Sequence, residues 1–122
     1  MQALIIEDEY LIALAIEDAL IELGYTTFAF ADTVAGAIEA AGNRCPDLIV
    51  ADHRISDGTG TDAVKAICSG KPIPVVFMTG SGEEVLEELP GAVIVLKPFS
   101  LPLLEAAIKR AIEHPVQHTA VR

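Results

Sequence analysis

Four short, β-branched apolar runs punctuate this chain, and each ends on polar side chains of a different kind. Leu4-Ile5-Ile6 leads into Glu7-Asp8, and Leu48-Ile49-Val50-Ala51 into Asp52. Val75-Val76-Phe77-Met78 leads into Thr79, and Val93-Ile94-Val95-Leu96 into Lys97-Pro98. Runs this short, without polar alternation, read as strands covered on both faces, the usual condition in a parallel sheet. Ligands of open parallel α/β sheets sit just beyond the carboxyl ends of the strands. Three carboxylates, a hydroxyl and a lysine are therefore expected at one sheet edge, a set suited to metal-assisted phosphoryl chemistry.

Helical patterns fill the spaces between the runs. The first helix carries Leu11, Ala15, Ala19 and Leu23 one turn apart, with Ile12, Ile16 and Leu20 beside them, and Gly24 stands at its C-terminal cap. Tyr25 to Phe30 reads as the second strand, and Asp32 or Thr33 can cap a second helix that ends near Gly42-Asn43. The third strand is expected over Asp47 to Ala51, followed by a turn-rich loop from Asp52 to Gly60. Thr61-Asp62 opens a third helix that ends at Ser69-Gly70.

Pro72 and Pro74 flank the start of the fourth strand, and Gly80-Ser81-Gly82 makes the next connection pliable. A short helix over Glu83 to Leu89 is stopped by Pro90-Gly91, and the fifth strand spans Ala92 to Leu96. Ser100 caps the last helix, whose buried stripe is expected to be Leu103, Leu104, Ala107, Ile108, Ala111 and Ile112. Five βα units in succession predict an α/β fold with a parallel sheet. Residues 1–114 are expected to form the domain, and residues 115–122 a flexible tail or linker stub.

At 122 residues the chain suffices for one domain with its own core. Although 52% of residues are apolar, no run approaches the roughly 18 residues needed to span a bilayer. Met1 leads directly into the first strand, so a cytoplasmic location is expected. A net charge of −10 argues against nucleic-acid contact through this domain. The run Glu83, Glu84, Glu87 and Glu88 reads as a solvated helix face. Cys45 and Cys68 lack metal or redox spacing and read as small packing residues, and His53, His114 and His118 are too scattered to form a metal cluster.

Magnesium favours carboxylates, water and phosphate oxygens, so Glu7, Asp8 and Asp52 could hold such an ion between the first and third strands. Asp52 could then attack phosphorus, with Lys97 balancing charge on the transferred oxygens and the Thr79 hydroxyl donating to another. Phosphoryl transfer depends on positioning and charge neutralisation, which suits a site with no evident catalytic histidine. His53 adjoins Asp52, but alternation points the two side chains in different directions. Turn or capping roles account for Asp57 and Asp62, and Asp47 opens its strand. Glu9 reads as a solvent-facing or early-helix charge, and Tyr10 as partner-facing or packing.

Taken together, Ile5-Ile6-Glu7-Asp8-Glu9, Asp52 with Gly60 eight positions on, Phe77-Met78-Thr79-Gly80 and Leu96-Lys97-Pro98-Phe99 resemble a two-component response-regulator receiver domain. The resemblance covers essentially the whole chain. It implies a flavodoxin-like (βα)5 doubly wound parallel sheet with strand order 2-1-3-4-5. It makes Asp52 the phosphoacceptor and Asp8 a direct Mg2+ ligand, with Glu7 acting largely through water and the backbone carbonyl of Arg54 as a further ligand. Thr79 becomes the switch hydroxyl and Lys97 the phosphate partner. Implied partners are a histidine kinase or histidine phosphotransfer protein and a downstream protein, with neither nucleic acid nor membrane. The domain is expected to catalyse only its own phosphorylation and dephosphorylation.

Two positions depart from the family pattern. Ile94 stands three places before Lys97, where receivers commonly carry an aromatic switch residue, and Ser56 replaces a proline often found after the phosphoacceptor. Phe77-Met78-Thr79-Gly80 resembles the Phe-Ala-Thr-Gly-Tyr ("FAT GUY") subgroup, mostly stand-alone receivers without the aromatic, though Ser81-Gly82 replaces the tyrosine end. The switch region is then expected at Thr79, Gly80, Ser81, Gly82 and Ile94, with motion concentrated between Gly80 and Gly91. Two other readings compete: a phosphorylation-independent pseudo-receiver that serves as an interaction module, and an aspartate-nucleophile phosphatase. Such phosphatases generally place a second acid two residues after the nucleophile, and that place holds Arg54.

Overall fold

A computed structural model describes residues 1–67, 72–80 and 82–115. The chain runs β1 (Gln2–Ile6), α1 (Tyr10–Glu22), β2 (Thr27–Ala31), α2 (Val34–Asn43), β3 (Leu48–Asp52), β4 (Arg54–Ile55), β5 (Gly58–Thr59) and α3 (Gly60–Ile67). It continues with β6 (Val75–Thr79), α4 (Glu83–Glu88), β7 (Val93–Leu96) and α5 (Leu101–Glu113). Five strands form one parallel sheet in the order β2-β1-β3-β6-β7, and β4-β5 is a separate antiparallel hairpin. Counting the sheet strands alone, this is the order 2-1-3-4-5 that the receiver resemblance implies.

Alternation along the buried strands sends side chains to two cores, one on each face of the sheet. Ala3, Ile5, Leu48, Val50, Val76, Met78, Val93 and Val95 meet Ile16 and Leu20 of α1 and Leu104, Ala107 and Ile108 of α5. Leu4, Ile6, Ile49, Ala51, Val75 and Phe77 meet Ala37 of α2, Ala63 and Val64 of α3, and Val85 of α4. The pairings Ile5↔Val50, Val50↔Val76 and Val76↔Val93 fix the stagger, so the ends of β1, β3, β6 and β7 come out on the same edge. That stagger brings Glu7, Asp52, Thr79 and Lys97 together.

Several boundaries and faces differ from the sequence reading. The second strand begins at Thr27, because Tyr25 instead turns its ring into the α1–α5 core. The segment after Asp52, read as loop, contains the β4-β5 hairpin; two-residue strands leave almost no alternation to read. Leu11 is 78% exposed on α1, and Leu103 and Ile112 are more than half exposed on α5, so both buried stripes are narrower than the apolar positions suggest. Cys45, read as a packing residue, is exposed at the end of the α2–β3 connection. Cys68, the end of the third helix at Ser69-Gly70, Ser81, His118 and the stretch beyond residue 115 lie outside the described residues. No helix among the described residues is long and apolar enough to cross a membrane.

The caps follow the local chemistry. Thr33 Oγ1 accepts from Gly36 N at 2.9 Å at the start of α2, and Ser100 Oγ accepts from Leu103 N at 3.4 Å at the start of α5. Gly24 takes a φ of +102° just past the end of α1, in the left-handed region where glycine is favoured. Asp47 accepts from Gln2 N at 2.7 Å, tying the entry to β3 onto β1. Asp57 accepts from Val34 N at 2.6 Å, so this turn residue also caps α2.

Candidate functional site

At the end of β1, Glu7 turns inward and is almost fully buried, while its neighbour Asp8 is exposed. Asp52, the last residue of β3, is partly buried beside them. One carboxylate oxygen from each of Glu7, Asp8 and Asp52 lies within 4.8 Å of the others, a spacing at which the three could hold one metal ion. Lys97 reaches across from the end of β7, with Nζ 3.2 Å from Asp52 Oδ2 and 3.5 Å from Glu7 Oε1. Its peptide bond to Pro98 is cis.

One ammonium thus faces two carboxylates at close range. Burial, and next the negative charge of Asp52, raise the Glu7 pKa from 4.5 to about 7. A hydrogen bond from Glu9 N at 3.1 Å, and the charge and hydrogen bond of Lys97, offset this in part. Burial disfavours the Lys97 ammonium, but the charges of Asp52 and Glu7 outweigh it and hold its pKa above the ordinary lysine range. The pocket is therefore under-supplied with positive charge, which is the condition a divalent cation relieves.

Gly60 explains itself through the site. A Cβ there would run into the backbone carbonyl of Asp52 and crowd His53 Cα, while Gly60 N donates to His53 O at 2.5 Å. Only a residue without a side chain lets α3 begin directly against the end of β3. Thr79, at the end of β6, is buried, and Thr79 O accepts from Lys97 N at 2.8 Å, so the β6 and β7 edges are joined at the site. Asp52, Arg54, Thr79, Gly80, Glu83 and Glu84 line an open cleft of about 530 Å3.

The expected switch position Ile94 is partly buried against the α2–α4 core, and a Cβ at Gly82 would lie 2.9 Å from Ile94 Cδ1. Gly82 is thus the residue that lets the start of α4 rest on Ile94. The acidic face of α4 is exposed, as read, and two of its glutamates also pair with neighbouring groups. Arg54 Nη2 donates to both Glu84 oxygens, at 2.8 and 2.7 Å, and His53 Nε2 lies 3.3 Å from Glu84 Oε1. Glu88 Oε1 accepts from Thr61 Oγ1 at 3.0 Å and Lys65 Nζ at 3.1 Å, and these two bonds lower its pKa. The sequence reading placed Glu84 and Glu88 on a solvated face without assigning them partners. The available signal was their spacing of one helical turn, which puts both on one face of α4, Glu88 reaching α3 and Glu84 reaching His53 and Arg54.

Comparison with known proteins agrees with this geometry. Residues 3–109 match the response regulator receiver domain family. The chain is 36% identical over 115 residues to the phyllosphere-induced regulator PhyR of Methylorubrum extorquens, covering 91% of this chain and 43% of that protein. It is 34% identical over 124 residues to the transcriptional regulatory protein PdtaR of Mycobacterium tuberculosis, covering 98% of this chain and 60% of PdtaR. The chain therefore spans about half the length of these relatives.

Among solved structures, the PhyR response regulator REC domain of Erythrobacter litoralis superposes with a TM-score of 0.84 at 34% identity, covering 98% of this chain and 95% of that one. The anti-anti-sigma factor PhyR of Bartonella quintana does so with a TM-score of 0.80 at 36% identity, covering 92% and 47%. Sheet order, the acidic cluster with its lysine, and these matches lead to one conclusion: the chain belongs to the response regulator receiver domain family.

Proposed function

We propose that this domain accepts a phosphoryl group on Asp52 from a phosphohistidine of a histidine kinase or phosphotransfer protein, in a Mg2+-dependent reaction. The observation that carries this reading is the convergence of the Glu7, Asp8 and Asp52 carboxylates, with Lys97 Nζ 3.2 Å from Asp52. Glu7, Asp8, Asp52 and the backbone carbonyl of Arg54 would hold the ion, which when bound supplies charge neutralisation to the transferring oxygens. An Asp52 carboxylate oxygen forms the new bond to phosphorus as the phosphorus–nitrogen bond breaks. The electron pair of that bond stays on the imidazole nitrogen. Lys97 balances charge on the phosphoryl oxygens, and the Thr79 hydroxyl donates to one of them. Water attack on phosphorus later releases inorganic phosphate and restores the Asp52 carboxylate.

Arg54, two residues after Asp52, holds its protons too tightly to protonate an external leaving group, which favours self-phosphorylation over the phosphatase reading. Output is proposed to pass through Thr79, Gly80, Ser81, Gly82 and Ile94 to a protein partner. One relative is described as an anti-anti-sigma factor, a designation that itself denotes a protein–protein role. Residues 1–114 are proposed as the receiver unit, with the remainder a tail or linker. The test is intact-mass measurement after incubation with Mg2+ and acetyl phosphate. A single phosphoryl adduct in the wild type that is absent in Asp52→Asn is expected. No adduct on the wild type, with a phosphohistidine donor also failing, would overturn the reading in favour of a phosphorylation-independent module.

A further inference from the structure

The cleft beyond Asp52 is lined on its open side by a cation whose side chain the proposed chemistry has not used. Arg54 lies two residues after Asp52, and both line that cleft together with Thr79 and Glu84. Lys97 is already shared between Asp52 and Glu7. A phosphoryl group on Asp52 would carry close to two negative charges in place of the single charge of the carboxylate, adding about one at the same edge. The Arg54 side chain is 74% exposed and its guanidinium is held by Glu84, itself half exposed. Exposed ion pairs of this kind contribute little and exchange readily, whereas the guanidinium fork matches phosphate oxygens in geometry and in charge.

We propose that Arg54 is a second phosphoryl-binding cation, and that it reaches the phosphoryl group by leaving Glu84. This rests on phosphorylation of Asp52 as proposed above. The exchange has a structural consequence. Glu84 sits in the first turn of α4, a helix of only six residues, and its pair with Arg54 ties that turn to β4, just past Asp52. Glu88, at the opposite end of the helix, is tied separately to Lys65 and Thr61. Once Arg54 turns to the phosphoryl group, the first turn keeps its contact with His53 and its packing on Ile94, but loses its link to Arg54. Ile94 offers no ring to carry a signal, and the Arg54–Glu84 exchange supplies an alternative link from Asp52 to α4.

The test uses the full chain with Mg2+ and beryllofluoride, a stable mimic of the phosphoryl group. Affinity is read by fluorine-19 NMR and the state of α4 by amide shifts of residues 83–89. Relative to wild type, Arg54→Gln is expected to weaken beryllofluoride binding about tenfold, the effect of losing one charge-assisted hydrogen bond. Glu84→Gln, which removes the competitor, is expected to tighten binding by about threefold and to move the α4 amides towards their bound positions without ligand. In the double variant the effect of Glu84→Gln should vanish, because its competitor role needs Arg54. Wild-type affinity in Arg54→Gln, or tightening by Glu84→Gln that persists without Arg54, overturns the proposal while leaving Asp52 chemistry standing. Failure of the wild type to bind beryllofluoride, or equal binding by Asp52→Asn, overturns both.

Discussion

Glu7 gives the metal-free protein an unusual dependence on pH. Its carboxyl is buried beside Asp52 and titrates at about 7, against 4.5 as an ordinary glutamate. Between those values the folded chain holds a proton that the unfolded chain has released, so stability falls as pH rises through the window. The shift corresponds to roughly 3 kcal/mol at about 1.4 kcal/mol per unit, a large part of the margin of a domain this size. Glu88 works in the opposite sense: Lys65 and Thr61 hold its pKa below 4.5, so its contribution is lost only as pH falls below that window.

The perturbation is Glu7→Gln, which keeps the shape and removes the buried charge. Urea unfolding of both proteins in chelator, at about pH 5 and about pH 7.5, should show the wild type losing on the order of 2–3 kcal/mol and the variant losing little. Saturating Mg2+ should restore most of the wild-type loss at the higher pH and much less of any loss in the variant. Equal pH dependence in the two proteins would refute the claim that Glu7 is strained by burial and by Asp52.

Other expectations follow from packing and capping. Gly60→Ala should cost at least about 2 kcal/mol by urea unfolding, since its Cβ would meet the Asp52 carbonyl and neither backbone can yield cheaply. Phe77→Ala removes a fully buried ring between the sheet and the α2–α4 layer and should cost about 3–5 kcal/mol, measured the same way. Thr33→Ala should cost about 1 kcal/mol through loss of the bond to Gly36 N, whereas Thr33→Ser should cost a few tenths.

The centre of the sheet was legible because β1, β3 and β6 are covered on both faces, and such strands advertise themselves as unbroken apolar runs. The polar residue ending each run then located the site edge without any further information. Helix faces were less legible. Leu11, Leu103 and Ile112 satisfy helical periodicity yet stay exposed, because an apolar residue on a helix is not obliged to face the sheet. The β4-β5 hairpin was hidden by its length, and Tyr25 by a turn that aims its ring inward before β2 begins. Side-chain pairs between distant segments leave no local trace. Arg54 with Glu84, and Lys65 with Glu88, are separated by 30 and 23 residues, and only the fold brings each pair together.

The proposal that Asp52 receives a phosphoryl group is tested most directly by phosphorus-31 NMR of the protein with Mg2+ and phosphoramidate, a donor that carries the phosphorus–nitrogen bond of phosphohistidine. Expected is an acyl-phosphate resonance that requires Mg2+, disappears in Asp52→Asn and weakens in Lys97→Ala. An identical resonance in Asp52→Asn, or none in the wild type with Mg2+ present, would contradict it.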